Sequence, residues 1–358
     1  MQKVAVIGTV GVPANYGGFE TLVENLLDYR RNPDIAYRVY CSSKAYSEKI
    51  RCYKGAELKY LPLKANGWQA MVYDSLSLLH ACFTADRLLV LGCSCPIVRL
   101  IRLVCRKKLI VNVDGIESAR EKWGGAAKKV LRFCMNEAVR AADVCVADNV
   151  AIREYVADRY GKNSVVIEYG GDNAVAVRDD ERLKSEYGLE RGGYCFKVAR
   201  IEPENNIGMV LEAFAMLPRE RLVVVGNWNR SEYGRALRRR YASYPNIGMM
   251  DPIYEPWEIN LLRANCRLYI HGHSAGGTNP SLVEAMSLGL PVCAFDVKYN
   301  RATTEGKALY FGSAAELAEQ VERLTSEMLS AIAREMAGIA VRRYRWTTIC
   351  EKYERLFR

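Results

Sequence analysis

Apolar positions along the chain fall into short continuous runs separated by longer stretches in which they recur every three or four residues. Runs of four or five apolar residues predict buried strands, and the longer spacing predicts amphipathic helices. Strands are predicted at residues 3–7, 37–41, 87–91, 109–113 and 144–147, with helices at 19–29, 66–81 and 126–142 between them. This alternation predicts a parallel sheet covered by helices, a doubly wound α/β domain.

The same pattern ends near residue 172 and then begins again. A strand at 164–167 leads into Tyr169-Gly170-Gly171-Asp172 and a charged stretch, 178–191. Strands are then predicted at 194–198, 221–225, 268–270 and 291–295, and helices at 207–216, 232–241, from Pro280 onward and at 347–357. We therefore predict two Rossmann-like domains facing a cleft, 1–172 and 173–340, with a C-terminal helix within 341–358 that packs back toward the first domain.

The composition of the 358-residue chain agrees with two sizeable cores, because half of its residues are apolar and about a quarter are charged. The start of the chain enters a strand directly, so no signal peptide is expected. The apolar run 88–98 is too short to span a bilayer. Twelve cysteines are scattered through apolar segments, which predicts reduced core thiols and a cytoplasmic protein. Cys93 and Cys95 lack partners for a zinc site, so no metal is expected.

The net charge of +10 is uneven, since residues 1–172 carry seven of the ten excess positive charges. Such a bias favours an anionic partner, although a solvated basic surface explains it equally well. Segment 97–108 places Arg99, Arg102 and Arg106 at helical spacing among aliphatic residues. It predicts either a core helix with a basic outer face or a peripheral contact with an anionic membrane. No nucleic-acid recognition motif is present, so nucleic acid is not expected as a partner.

A glycine-rich loop, residues 8–18, connects the first strand to the first helix. Backbone amides at Gly17 and Gly18 can approach a phosphate, and the helix N-terminus adds a favourable dipole. The loop does not match Gly-x-Gly-x-x-Gly, and no acidic residue follows the next strand to hold an adenosine ribose. A dinucleotide-dependent dehydrogenase is therefore disfavoured, and a simple tight turn remains the alternative.

Two further constellations follow strands of the second half. Arg200 ends the first of these strands, where its planar guanidinium can bind a diphosphate, unless it only pairs with Glu202 or Glu204. The second is a loop that leads into a helix. Its donor-binding candidates are His273, Gly276, Gly277, Thr278, Asn279, Ser281 and Glu284. Asn279 can cap this helix and Pro280 suits its first turn, so amides there are expected to face a diphosphate while Glu284 accepts hydrogen bonds from a ribose.

These segments resemble the donor domain of the family 4 retaining glycosyltransferases, which have the GT-B fold. The resemblance rests on Arg200 with the Glu-Asn-Asn that follows, on the stretch 276–286 (GGTNPSLVEAM) and on Gly-Leu-Pro-Val at 289–292. Tyr-Gly-Gly-Phe-Glu-Thr at 16–21 and Asn-Val-Asp-Gly-Ile-Glu at 112–117 resemble one branch, the bacterial rhamnosyltransferases of capsule and O-antigen assembly. The similarity covers nearly the whole chain.

The chain departs from the wider family at two positions. The wider family has two glutamates eight positions apart, of which Glu284 matches the second, while Gly276 stands at the position of the first. The family also has a lysine five residues after the arginine, and here that position is Asn205. The resemblance implies that the first glutamate contacts donor-sugar hydroxyls, so sugar recognition is expected to be rearranged. Without the lysine, Arg200 is expected to carry more of the diphosphate charge.

The resemblance implies transfer of a sugar, best matched by L-rhamnose from dTDP-L-rhamnose, to a polyprenyl-diphosphate-linked saccharide, with retention and without a metal or other cofactor. Arg200 would stabilise the leaving diphosphate. Asp114, at the predicted carboxyl end of a strand, would orient or deprotonate the acceptor hydroxyl, although it can equally begin a turn before Gly115. A UDP-sugar glycosyltransferase, a nucleotide-sugar 2-epimerase and a non-catalytic nucleotide-sugar-binding protein remain alternatives.

Overall fold

The computed structural model describes residues 1–14, 17–115 and 124–358. The chain forms two compact units. The first contains Met1–Tyr169 together with Trp346–Arg358, and the second contains Gly170–Arg345. Each unit is built around a mostly parallel sheet with helices packed on it, so the predicted fold class, two Rossmann-like doubly wound domains, is confirmed.

Within the described residues, the first unit has an eight-stranded sheet in the order β3-β4-β2-β1-β5-β6-β7-β8. Its strands are β1 Gln2–Ile7, β2 Ile35–Ser42, β3 Cys52–Tyr53, β4 Ala56–Leu61, β5 Arg87–Leu91, β6 Lys108–Asn112, β7 Val144–Ala147 and β8 Ser164–Val166. The helices that connect them are α1 Gly18–Asp28, α2 Gln69–Thr84, α3 Val98–Val104, α4 Gly125–Ala141 and α5 Val150–Tyr160.

The second unit has a six-stranded parallel sheet, again counted over described residues, in the order β11-β10-β9-β12-β13-β14. Its strands are β9 Cys195–Val198, β10 Leu222–Val225, β11 Ile247–Met250, β12 Leu268–His271, β13 Val292–Phe295 and β14 Leu309–Phe311. Its helices are α6 Asp180–Tyr187, α7 Ile207–Ala215, α8 Glu232–Arg240, α9 Pro256–Ala264, α10 Pro280–Ser287, α11 Lys298–Thr303, α12 Ala314–Glu322 and α13 Ser326–Arg343.

The central strands form because nearly every one of their side chains can be buried. Residues 4–7 of β1 and 223–225 of β10 are almost inaccessible to solvent, which is the continuous apolar pattern of a strand covered on both faces. Both sheet orders reverse direction beside the first strand of their unit, β1 or β9. The loops that leave the carboxyl ends of these strands therefore lie where ligands bind in α/β folds.

The last helix, α14 Trp346–Phe357, belongs to the first unit. The Asn112 amide donates a hydrogen bond to the Tyr353 hydroxyl at 2.8 Å, and the rings of Phe357 and Tyr37 meet edge to face. The buried side chains of this helix complete the core of the first unit. A helix of the second half of the sequence therefore helps to build the first domain.

Several elements differ from the sequence expectation. β4 alternates buried and exposed residues, and β11 is only partly buried, so neither has the apolar run that marked the other strands. The units divide after Tyr169, three residues before the predicted boundary. Ten of the twelve cysteines are buried. Over the residues that the structure describes, no helix is long and apolar enough to cross a bilayer.

Candidate active site

The loop of the first unit has a buried carboxylate, Glu20, close to the glycines that are predicted to bind a phosphate. Gly17 precedes α1 with φ of 140°, and a side chain at this position would begin 1.9 Å from Oε2 of Glu20. The other oxygen of Glu20 accepts hydrogen bonds from the Thr9 hydroxyl at 2.8 Å and the Val10 amide at 2.7 Å. Because Glu20 is buried beside the helix N-terminus, its charge opposes an anion at Gly17 and Gly18. Phosphate binding by these two amides stays a prediction.

Asp114 lies two residues beyond β6 in the left-handed backbone region, with φ of 53°. Its amide donates to Oδ1 of Asn112 at 3.0 Å, which stabilises this turn. Non-glycine residues with positive φ are uncommon and concentrate at functional positions. Asp148 and Glu168, both nearly buried, follow the neighbouring strands β7 and β8. These two acidic side chains were not predicted from the sequence. They follow β7 and β8, the next two strands beyond β6 in the sheet, as Asp114 follows β6 itself.

Of the two motifs quoted for the first unit, Tyr16, Ile116 and Glu117 lie outside the described residues. The described residues of the first motif, 17–21, form the cap and first turn of α1, and those of the second, 112–115, lie at and just beyond the end of β6.

Arg200 follows β9 and is about one-third exposed. Its Nε lies 3.7 Å from Oε2 of Glu202, which is longer than a hydrogen bond. The alternative was a surface arginine paired with a neighbouring acid, and the structure shows this pairing only as a loose ion pair. With no closer partner among residues 1–14, 17–115 and 124–358, most donors of the guanidinium can serve an anionic ligand.

Asn205 connects the Arg200 turn to the loop that follows β12. Its amide nitrogen donates to the carbonyl of Arg200 at 2.8 Å, and its Oδ1 lies 2.8 Å from Nδ1 of His273. Since Oδ1 can only accept, Nδ1 of His273 is the donor in this hydrogen bond. The residue at the position of the family lysine therefore orients a histidine instead of supplying a charge.

Gly276 lies against that same histidine. It has φ of 123°, and a side chain at this position would begin 3.1 Å from Nε2 of His273. The two departures from the wider family are therefore structurally linked, because Asn205 holds the imidazole that borders the space where the family glutamate would start. His273 is 8% exposed. Sequence reasoning included His273 among the donor contacts, but it had no signal for this arrangement.

Beneath this loop lies a buried basic group that sequence reasoning missed. Lys197 of β9 is 2% exposed, and its Nζ lies 2.8 Å from the point where a side chain at Gly272 would begin. Burial lowers the pKa of this lysine to about 7. Burial, followed by the nearby Lys197 and His273, lowers the pKa of His271 well below its ordinary range. These shifts favour the neutral forms of both side chains under the glycine-rich loop.

The start of α10 differs from the expectation of free amides. Pro280 has no amide hydrogen, and the Ser281 amide donates to the capping side chain of Asn279 at 3.1 Å. The Ser281 hydroxyl also donates to Asn279, and the Leu282 amide donates to its carbonyl at 3.0 Å. Expecting free amides in this first turn was therefore wrong, because the cap already satisfies them. Gly276, Gly277 and Thr278 in the preceding loop remain predicted donor-binding residues.

Glu284, the predicted ribose ligand, is held from both sides. Its Oε2 accepts a hydrogen bond from Nη1 of Arg263 in α9 at 2.5 Å, and its Oε1 accepts one from the side-chain amide of Asn173 at 3.0 Å. The exposed fractions of the Arg263 and Glu284 side chains are only 5% and 16%. Neither partner was found from the sequence, since Asn173 and Arg263 are 111 and 21 residues away from Glu284. A carboxylate with two bonds accepted can still accept two more.

Comparison with known proteins agrees with this architecture. Residues 1–172 match the family model described as a domain of unknown function (DUF1972), and residues 193–327 match the model described as glycosyl transferases group 1. No curated protein matches the chain. Among solved structures, a sucrose-phosphate synthase from Thermosynechococcus elongatus is 14% identical, with a TM-score of 0.84 over 100% of this chain and 98% of that one.

Two other solved structures have the same fold. HepE from Anabaena, in complex with UDP-glucose, is 16% identical, with a TM-score of 0.78 over 99% of each chain. OtsA, a trehalose-6-phosphate synthase, is 10% identical, with a TM-score of 0.75 over 100% of this chain and 99% of that one. The fold is therefore the two-domain GT-B architecture. Residues 193–327 of this fold also match glycosyl transferases group 1, and the two findings together support a glycosyltransferase.

Proposed function

We propose that this protein transfers L-rhamnose from dTDP-L-rhamnose, with retention, to a lipid-linked saccharide during synthesis of a cell-surface polysaccharide such as capsule or O-antigen. The observation that carries the proposal is the set of side chains around the Arg200 turn and α10. A loosely paired guanidinium, a histidine beside Gly276 and an anchored carboxylate on α10 match the parts that a nucleotide-sugar donor requires.

In this mechanism the bond between the sugar anomeric carbon and the diphosphate oxygen breaks, and the acceptor hydroxyl bonds to the same face of the sugar. Arg200 and the amides of residues 276–278 stabilise the charge on the leaving diphosphate, which is the main contribution expected from such donors. The acceptor proton passes to Asp114 or to the departing diphosphate. The donor and these protein groups supply the whole reaction, so the proposal includes no cofactor.

The donor sugar is proposed from the linked departures at positions 205 and 276. An imidazole in place of a carboxylate presents a different hydrogen-bonding partner to the sugar hydroxyls. The second candidate is a UDP-sugar donor, which is favoured by the complexes of HepE with UDP and UDP-glucose.

A thermal-shift comparison of dTDP, UDP and GDP separates the two donors. A ligand at 100 times its dissociation constant stabilises the folded protein by about 2.7 kcal/mol, which is readily measured. We expect dTDP to raise the melting temperature and GDP to leave it unchanged. A response to UDP alone would overturn the dTDP-sugar donor in favour of the second candidate.

The lipid-linked acceptor and a peripheral position at the inner face of the plasma membrane are supported by a surface of the first unit. Four apolar residues spaced along one face of α2, Val72, Leu76, Leu79 and Phe83, are between 40% and 76% exposed. On the adjacent α3, Leu100, Leu103 and Val104 are between 64% and 79% exposed. Exposed apolar side chains in such numbers mark interaction surfaces.

Basic side chains border this surface, and one of them, Arg99, is paired with Glu137 at 3.5 Å. Arg99, Arg106, Lys129 and Arg132 are exposed on or beside α3 and α4, whereas α2 exposes no charged carboxylate. Arg102 does not belong to the outward face, contrary to the sequence expectation, because it bonds to Asp143 at 2.5 Å. An apolar face bordered by Lys and Arg suits the headgroup region of an anionic bilayer.

Flotation with lipid vesicles tests this contact. We expect binding to vesicles that contain phosphatidylglycerol and little binding to phosphatidylcholine alone. The double variant Phe83→Ser/Leu103→Ser should lose the binding, while Met216→Ser, at a half-exposed apolar site of the second unit, should keep it. Equal flotation of the wild type, the double variant and Met216→Ser would refute a membrane contact through this surface.

A further inference from the structure

Lys197 lies where two loops of the predicted donor site meet. Its strand, β9, leads directly into the turn that carries Arg200. A side chain at Gly272 would begin 2.8 Å from Nζ of Lys197 and 2.4 Å from the carbonyl oxygen of Asn205. Because Gly272 has no side chain, the lysine nitrogen fits between the Arg200 turn and the loop that follows β12.

No carboxylate balances this lysine within residues 1–14, 17–115 and 124–358. Lys197 is 2% exposed, and burial alone lowers its pKa to about 7, whereas a nearby acidic side chain would raise it. The adjacent turn carries Glu202, whose Oε2 lies 3.7 Å from Nε of Arg200, and Glu204. Neither carboxylate acts on the pKa of Lys197. A buried base without a counter-charge loses its hydration with nothing in return, so we expect a ligand to supply the negative charge.

Two further titratable side chains near Lys197 are histidines. His271, at the end of β12, is close enough for Lys197 to help lower its pKa, and His273 follows two residues later. β9 and β12 are neighbouring strands beside the reversal of the sheet order, where α/β sheets bind ligands at their carboxyl ends. Basic groups gathered at such a point favour a ligand with more than one negative charge, as a diphosphate has.

We propose that Lys197 binds the diphosphate of the nucleotide-sugar donor from beneath Gly272 and supplies the positive charge that Asn205, at the position of the family lysine, does not. This inference rests on the proposed function, because it assigns the diphosphate to this site. Arg200 then shares the diphosphate charge with a second cation, which reaches it from the strand and not from the turn.

The proposal implies that the nucleotide binds together with a proton. Before binding, the Lys197 amine is mostly neutral above pH 7, since burial lowers its pKa to about 7. A diphosphate beside Nζ favours the ammonium form, so the amine takes one proton from the solvent when the nucleotide binds. A lysine with only a structural role under the loop would show no such uptake.

Isothermal titration with dTDP and with UDP at pH 8, in buffers of different ionisation enthalpy, measures this proton. A group with a pKa of about 7 is roughly 90% neutral at pH 8, so we expect the wild type to take up about 0.9 proton per nucleotide bound. Its affinity should fall about eightfold between pH 7.5 and 8.5. Lys197→Met should bind more weakly and lose both the uptake and the pH dependence. Lys184→Met, at an exposed lysine of the same unit, should match the wild type.

The outcomes separate this inference from the proposed function. If the wild type binds a nucleotide without taking up a proton, or if Lys197→Met keeps the wild-type uptake, the role of Lys197 is refuted and the donor site stands. If neither dTDP nor UDP binds, the proposed function fails and this inference fails with it. Methionine removes the buried amine without leaving a large cavity, so the variant should fold, and melting curves without nucleotide check this.

Discussion

Breaking the ion pair between Arg263 and Glu284 should lower the unfolding free energy of the second unit by several kcal/mol. The guanidinium is 5% exposed, and Glu284 is its hydrogen-bonding partner among the described residues. Replacing Glu284 by Gln leaves a buried positive charge without its counter-ion, which costs about 3–5 kcal/mol of unfolding free energy. Replacing Arg263 by Met should cost less, about 1–3 kcal/mol, because Glu284 keeps Asn173 and some contact with water.

The assay is a double-mutant cycle on Glu284→Gln, Arg263→Met and the combined variant. Hydrogen–deuterium exchange of peptides from α9 and α10, measured over a urea series, reports the unfolding free energy of the second unit. The double variant should lie close to Arg263→Met alone, giving a coupling energy of about 2 kcal/mol or more. A coupling energy below about 0.5 kcal/mol, or a larger loss in Arg263→Met than in Glu284→Gln, would refute the reasoning.

Three further predictions concern other features. Burial lowers the pKa of Lys197 to about 7, so between pH 7 and 10.5 the unfolded chain binds more protons than the folded protein. The contribution of Lys197 to the unfolding free energy should therefore rise with pH across that window, by up to about 5 kcal/mol. Urea titrations of Lys197→Met should lack this slope. Gly171→Ala should lower the melting temperature sharply because its side chain would overlap Val283, whereas Gly125→Ala, with open space around it, should not. Asp114→Asn should slow sugar transfer while leaving nucleotide binding unchanged in titrations; equal turnover would exclude Asp114 from the mechanism.

The parts of the fold that were predictable are those with a strong local signal. The strands β1, β5 and β10 contain continuous apolar runs, and the start of α10 is marked by Asn279 and Pro280. β4 was missed because half of its residues face solvent, so it lacks such a run. Lys197 was missed because a charged residue in a strand normally indicates an exposed position, whereas here it is buried.

Site residues brought together by tertiary structure had no signal in the sequence. Asn173 and Arg263 reach Glu284 only after the second unit has folded, and nothing in their neighbours marks them. The motif around Gly276 indicated that a glutamate is absent. It could not show that Asn205 directs His273 toward that position, because this depends on two loops that meet in space. Local motifs in the sequence thus indicated where the site lies. The hydrogen-bonding partners of Glu284 and His273 could be seen only in the folded structure.

The most direct test of the account is the effect of Arg200→Ala on kcat/KM for sugar transfer from the nucleotide-sugar donor. If Arg200 stabilises the leaving diphosphate, kcat/KM should fall by about 100- to 1000-fold, as for loss of one oxyanion donor. Arg219→Ala, at an exposed arginine of the same unit, should retain wild-type turnover, and both variants should melt as the wild type does. Unchanged kcat/KM in a folded Arg200→Ala variant would contradict the proposed donor site.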